Sequence, residues 1–413
     1  MKTEQSDHLK TIEIAFLSLM IIALPSLEAP KNIFLVFYVL LASIRWIETK
    51  NYEWGYWDSI FSILILTNII CTYFAGIPFH DEWKGFGVSL TMLCPGWLIS
   101  KANYSLKEIK RIYYIIILST IPPLLFGIWN LLISKTKGQL ELHSVGHVNH
   151  SAIYLLVIFG ASLTWFLSDL KFKSNVQKFL LLLVVSLFFY GLIIGQSRGA
   201  FGVAFALAFL IVFFSKKSLT TKIIFYVTLI LLIPTLFLTH SNIAIKQLSY
   251  QNGNNIMADR TRIWNAATET ARTYPFFGIG MFNWSQIKME DLRLSVEKRN
   301  EKFKKENYML QFGHAHSIYF STLVEKGLVG FSMLIFLMLM WLRELIRNYP
   351  KIKNNSYFLF WGGAASAWAG IFGVGLVNST FNHEHGILAC MLLGLYLSSN
   401  KLINQKNFNK LNK

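Results

Sequence analysis

The fold class this sequence predicts is an all-α polytopic membrane protein that crosses the bilayer about twelve times. Three observations predict it. Hydrophobic residues make up 54% of the chain and charged residues 15%, whereas soluble domains usually carry about 25% charged residues. Apolar stretches of spanning length recur from residue 12 to residue 399. Lysine and arginine gather in every second connecting segment, the asymmetry that orients membrane helices.

In chain order the expected spans are 12–28, 32–47, 57–77, 86–100, 112–133, 152–168, 179–195, 199–215, 223–239, 317–342, 357–377 and 386–399. The second, fourth, eighth and twelfth are short against a span of about 20 residues. Three regions follow: a nine-helix membrane region at 1–238, a long outside loop with short helices at 239–316, and a three-helix region with a short cytoplasmic tail at 317–413.

With the N-terminus inside, the basic clusters fall on the cytoplasmic side, among them Lys107, Lys110 and Arg111, then Lys171, Lys173 and Lys178, and later Arg343, Arg347, Lys351 and Lys353. The short outside loops hold only Lys31, Lys84, Lys135, Lys137 and Arg198. Both termini are therefore expected in the cytoplasm. The net charge of +17 reads as a topology signal, which removes nucleic acid as a partner and leaves membrane lipids. Cys71, Cys94 and Cys390 all fall within spans, so no disulfide framework is expected for the outside loop. The N-terminus lacks a cleavable signal pattern, and the first span is expected to stay as an anchor.

Four segments depart from the apolar pattern, all on the outside by this count. The largest is the loop from Thr239 to His314. Within it, 262–272 reads as an amphipathic helix ended by Pro275, Gly278 and Gly280, and 289–305 as a charged helical run. The others are His143-Ser-Val-Gly-His147-Val-Asn149-His150, the hairpin Gly195-Gln-Ser-Arg198-Gly199, and Asn378 to His385. Chemistry in a multispan protein gathers where polar groups share a cavity, so their convergence points to a site. The first five spans are expected to serve as scaffold and lipid groove.

Arg198 stands between two apolar spans, where an arginine is costly unless it snorkels, pairs or serves a ligand. Arg260 and Arg262 open the loop helix, where backbone N–H groups add positive potential, and guanidinium forks there suit a diphosphate. His314 and His316 precede the tenth span. In a helix their i, i+2 spacing would place them on opposite sides, and no metal-ligand set of recognised spacing accompanies them. A single imidazole is better suited to general base work. Glu325 lies within the next span and is read as a structural partner of the site. His147 and Asn149 are candidates for lining the glycan path.

Three motifs then carry a resemblance: Gln196-Ser-Arg198-Gly-Ala200; Arg260-Thr-Arg262-Ile-Trp264 followed by Pro275-Phe-Phe-Gly-Ile-Gly280; and His314-Ala-His316-Ser-Ile-Tyr319 with Glu325, Gly327 and Gly330. Their order around a long outside loop resembles the O-antigen ligase and Wzy-type polymerase superfamily. The motifs occupy about residues 195–330, whereas the span layout is similar over nearly the whole chain. Ser317 stands where an asparagine often follows the histidine, and the doubled arginine leaves Arg260 and Arg262 as alternatives, the register to Trp264 favouring Arg260.

The resemblance implies an inner-membrane glycosyltransferase with its site facing the periplasm. It implies transfer of a glycan from undecaprenyl diphosphate to a hydroxyl of lipid A-core, with no cofactor and no metal, and inversion at the anomeric centre. By it, His316 is the base and Arg198 and Arg260 stabilise the diphosphate; Arg262, His314, His147 and Asn149, which the resemblance does not cover, are read as substrate contacts from their place beside that set. A polymerase using a second lipid-linked glycan as acceptor is the alternative within the superfamily. A lipid-linked glycan transporter is the alternative outside it, although the internal symmetry expected of one is lacking. Oligomeric state is not legible.

Overall fold

The computed structural model describes residues 2–50, 53–143, 145–168, 174–239, 256–311, 313–349 and 355–411. The beginning of the long loop, 240–255, and the basic residues Lys171, Lys173, Lys351 and Lys353 lie outside the described residues. The described chain is helical: α1 Lys2–Ala23, α2 Glu28–Thr49, α3 Tyr56–Tyr73, α4 Asp81–Lys101, α5 Leu106–Leu118, α6 Ile121–Ile128, α7 Val148–Leu167, α8 Asn175–Ile194, α9 Arg198–Phe214 and α10 Leu219–Thr239. After the loop helices α11 Ile256–Thr273 and α12 Met289–Glu297 come α13 Ile318–Arg347, α14 Asn355–Trp368 and α15 His383–Leu411.

Each expected span falls on a helix, yet among the described residues eight helices are long and apolar enough to cross a membrane. The other four show why the count of twelve is not reached. α1 carries Lys2, Glu4, Asp7, Lys10 and Glu13, and α4 opens on Asp81, Glu82 and Lys84. α9 has 17 residues, and α10 qualifies only as a shorter apolar helix over Leu219–Leu231. The protein is a multi-pass membrane protein whose central helices α7, α14 and α15 are buried among the others, while α2, α8 and α13 turn apolar residues outward.

Small residues let the central helices approach closely. A Cβ on Gly96 of α4 would lie 2.4 Å from the Cys390 carbonyl oxygen of α15, and one on Gly394 2.3 Å from the Gly96 oxygen. Any side chain at either position would drive the two helices apart.

The loop has its own small core of Ile263, Ala266, Ala267, Ile279, Trp284 and Leu292. The charged run forms a helix only to Glu297, since Asn300 turns the chain through a left-handed conformation (φ 61°). A backbone clasp fixes the loop to the bundle. α13 is interrupted at Gly327 (φ 61°, ψ −163°), and the Pro275–Gly280 turn enters the gap. Ile279 and Gly280 N–H donate to the Val324 and Glu325 carbonyls at 2.9 and 3.0 Å, while Leu328 and Val329 N–H donate to the Pro275 and Phe276 carbonyls at 2.7 and 3.1 Å. A Cβ at Gly278 (φ 68°) would sit 2.4 Å from the Val324 oxygen. Two of the sequence motifs, Pro-Phe-Phe-Gly-Ile-Gly and Glu-Lys-Gly, are thus the two halves of one joint.

Candidate active site

Arg198 is the first residue of α9. The preceding turn is tight because Gln196 adopts a left-handed conformation (φ 53°), so the guanidinium emerges at the loop end of the bundle and is exposed. Arg260 lies near the start of α11, close enough to Arg198 that the second guanidinium disfavours its charge. Burial first, and then Arg198, hold Arg260 below the usual arginine range. Two like charges brought together cost energy unless an anion joins them.

Trp264 sets the position of Arg260. The two stand four residues apart on one helix face, and the indole Nε1–H donates to the Ala315 carbonyl at 3.0 Å while its ring stacks on Phe320 at 5.2 Å. The anchored carbonyl belongs to the residue before His316, so the spacing from arginine to tryptophan delivers Arg260 to the histidine. Arg262 points elsewhere: its guanidinium lies 3.5 Å from Asp259 and its carbonyl accepts from Met309 N–H.

The His314–His316 segment is not helical, so the expected separation of the two rings does not arise. Gly313 (φ 66°) and His316 (φ 49°) turn the chain, and the imidazoles meet with centroids 4.2 Å apart. A left-handed histidine is a strained conformation of the kind held at functional sites. Here Ser317 Oγ holds it by donating to the Gly375 carbonyl at 3.2 Å, and Ser321 Oγ by accepting from Ala315 N–H at 3.3 Å. Burial, reinforced by His314, Arg260 and His147, pushes the His316 imidazole down to about 4. It is neutral at physiological pH, the form that can take a proton.

His147 is the N-cap of α7, its Nδ1 accepting from the Asn149 backbone N–H at 3.2 Å. It reaches the site through its field on His316. His150 is the more intimate member of that segment. Its ring lies 4.9 Å from His383 and 5.3 Å from His385, which joins the 143–150 segment to the 378–385 turn. All four polar segments therefore meet at one end of the bundle. Among the described residues no group of three His, Cys, Asp or Glu side chains is arranged to hold a metal ion.

Beside the histidines a cavity of about 320 Å³ descends between α3, α4 and α13. His150, His314 and His383 stand at its mouth, with Asn68, Glu325 and Lys326 further down. Lys326 Nζ donates to Asn68 Oδ1 at 2.8 Å. Glu325, expected to be a structural partner, lines open space, and its carboxylate accepts from Phe282 N–H. Asn68 of α3 and Ser89 of α4 line this cavity, so the first five spans, expected to serve as scaffold and lipid groove, also bring polar groups to it. Polar residues within apolar spans are the signal that could have found Asn68 and Lys326.

Residues 182–335 match the family model described as O-antigen ligase. The match contains Arg198, both loop arginines, both histidines and Glu325, and it leaves α7 and α15 outside. No curated protein matches the chain.

Proposed function

We propose that this chain, an O-antigen-ligase-type enzyme of the superfamily that also holds the Wzy-type polymerases, moves a glycan from a polyprenyl diphosphate to a hydroxyl of lipid A-core. The donor is taken to be undecaprenyl-linked, and the site to face the periplasm from the inner membrane with both termini cytoplasmic, as the basic asymmetry supports. The observation that carries this reading is the juxtaposition of two guanidiniums with a neutral imidazole: Arg260 feels Arg198, and His316 feels Arg260.

In the step, the bond from the anomeric carbon to the phosphate oxygen breaks as the bond to the acceptor oxygen forms. The acceptor proton passes to His316, and the negative charge that grows on the departing diphosphate is met by Arg198 and Arg260. Direct displacement inverts the anomeric centre. His147, with Asn149 beside it, stands at the rim of the same site, His314 adjoins His316, and Arg262, whose guanidinium meets Asp259, is the alternative to Arg260.

Reconstituted protein supplied with polyprenyl-diphosphate glycan and lipid A-core is expected to form glycan-capped lipid A-core in the presence of EDTA. Elongated lipid-linked glycan in place of that product would show a polymerase. Loss of transfer on chelation, restored by added metal, would overturn the metal-independent step.

A further inference from the structure

The cavity beside His314 has not been given an occupant. It is walled by α3, α4 and α13 and roofed by Met281, Phe282 and the 379–383 turn. Neither Arg198 nor Arg260 contributes to its wall, whereas His314, whose ring touches the His316 ring at 4.2 Å, does. The arginines and the cavity thus adjoin the histidine pair through different residues. In a direct displacement the leaving group and the incoming oxygen approach the anomeric carbon from opposite directions. If the diphosphate is at the arginines, the oxygen that gives His316 its proton has the cavity as its approach.

The chemistry of the wall matches a sugar. Glu325 is an acceptor, Lys326 a donor, and Asn68 supplies an amide, with Ser321 and Thr322 one turn above on α13. The rings of Phe282 and Phe381 lie at the mouth, where apolar faces of a pyranose can rest. Among the described residues Glu325 and Lys326, though neighbours in sequence, form no ion pair with each other or with another residue. Charged groups inside a membrane span are costly, and those that line a cavity mark a substrate path. Below them Met92, Met333 and Leu337 make an apolar floor. At about 320 Å³ the space is near the lower end of small-molecule pockets, roughly 300–1,000 Å³, which suits one or two rings and not a long glycan.

We propose that this cavity is the subsite for the terminal sugar of the acceptor, and that Asn68, Glu325 and Lys326 determine which sugar it takes. The proposal rests on the transfer reading above but not on whether the acceptor is lipid A-core or a second lipid-linked glycan. Its test is direct binding of free saccharide, separated from turnover. Two probes are used: the oligosaccharide released from lipid A-core, and the glycan released from the polyprenyl diphosphate.

Purified wild-type protein is expected to bind one of the two. Lys326→Met and Glu325→Gln should each weaken that binding tenfold or more while polyprenyl-diphosphate binding stays within twofold. Val88→Phe, which puts a ring into the cavity from α4 and leaves Glu325 and Lys326 in place, should do the same and serves if the charge variants fail to accumulate. Equal saccharide binding by wild type and Val88→Phe would overturn the subsite. So would the absence of binding to either probe by wild-type protein that transfers glycan normally, a result that leaves the transfer reading intact. Wild-type protein that binds a probe but never transfers would instead overturn the transfer reading.

Discussion

The two ends of the bundle both bury charge, and they do so in opposite ways. At the end away from the loop, Glu13 of α1 takes two hydrogen bonds from Arg45 of α2, one of them 2.9 Å long, and a third from Tyr104. Nearby Asp58 is met by Lys101 at 2.9 Å and by the Trp97 indole at 2.6 Å. Each of these two buried carboxylates meets a cation. At the loop end Arg260 faces another arginine, and His316 sits among His314, Arg260 and His147. Structural contacts at that end are matched as well, among them Lys31 with Glu384 at 2.5 Å and Arg299 with Glu269. Matched charges hold helices together, whereas like charges brought side by side are the arrangement the proposed diphosphate site calls for.

The contrast can be broken most forcefully at the loop end. His316→Ala should lower transfer by about 100-fold or more. Arg198→Lys and Arg260→Lys should each cost on the order of 100-fold, because lysine keeps the charge but loses the planar fork that spans adjacent phosphate oxygens. Transfer rates of variants matched for protein in the membrane measure both. At the other end, Arg45→Met should destabilise the fold by about 3–5 kcal/mol by stranding Glu13, seen as less protein and a lower Tm. Activity per folded molecule should hardly change. A large loss of specific activity would erase the distinction between the two ends.

Trp264→Phe sharpens the comparison by testing position alone. Phenylalanine keeps the stack on Phe320 but loses the bond to the Ala315 carbonyl, and an expected loss of about tenfold in kcat would reflect misplacement of Arg260 relative to His316. Restoration of Arg260 function by the conservative stack alone would contradict it.

The pH profile tests the field of the arginines. In free enzyme His316 is pushed down to about 4, so kcat/KM should hold as pH falls and drop only near pH 4, where the imidazole takes a proton. A bound diphosphate offsets the arginine charge and raises that value, so the acid limb of kcat should lie at higher pH than that of kcat/KM. Coincident limbs would argue that the anion sits elsewhere. The smallest effect is expected from Arg262→Ala, within about threefold, since it removes a weak exposed contact with Asp259.

Much of this was readable from the sequence, for local reasons. The helices follow from apolar stretches of spanning length, and the arginine register from the four-residue step to Trp264. The convergence of four segments was inferred from charge asymmetry, and His150 against His383 gives it a physical contact. What could not be read depends on distant partners. Asn68 and Lys326 are 258 positions apart, and neither residue alone shows that the two meet in the wall of one cavity. The clasp at Gly327 was equally hidden, because Pro275, Gly278 and Gly280 read only as the end of the loop helix until that turn's backbone bonds to α13 are seen. The span count suffered from helices such as α1 and α4, whose charged ends lie within the helix itself.

The division of labour between arginine and histidine is the central claim, and separate measurement of donor binding and transfer tests it most directly. Purified His316→Ala is expected to bind polyprenyl-diphosphate glycan as wild type does and to transfer none of it, while Arg260→Lys loses affinity for the donor. Full transfer by His316→Ala, or donor binding unchanged in Arg260→Lys, would contradict the account.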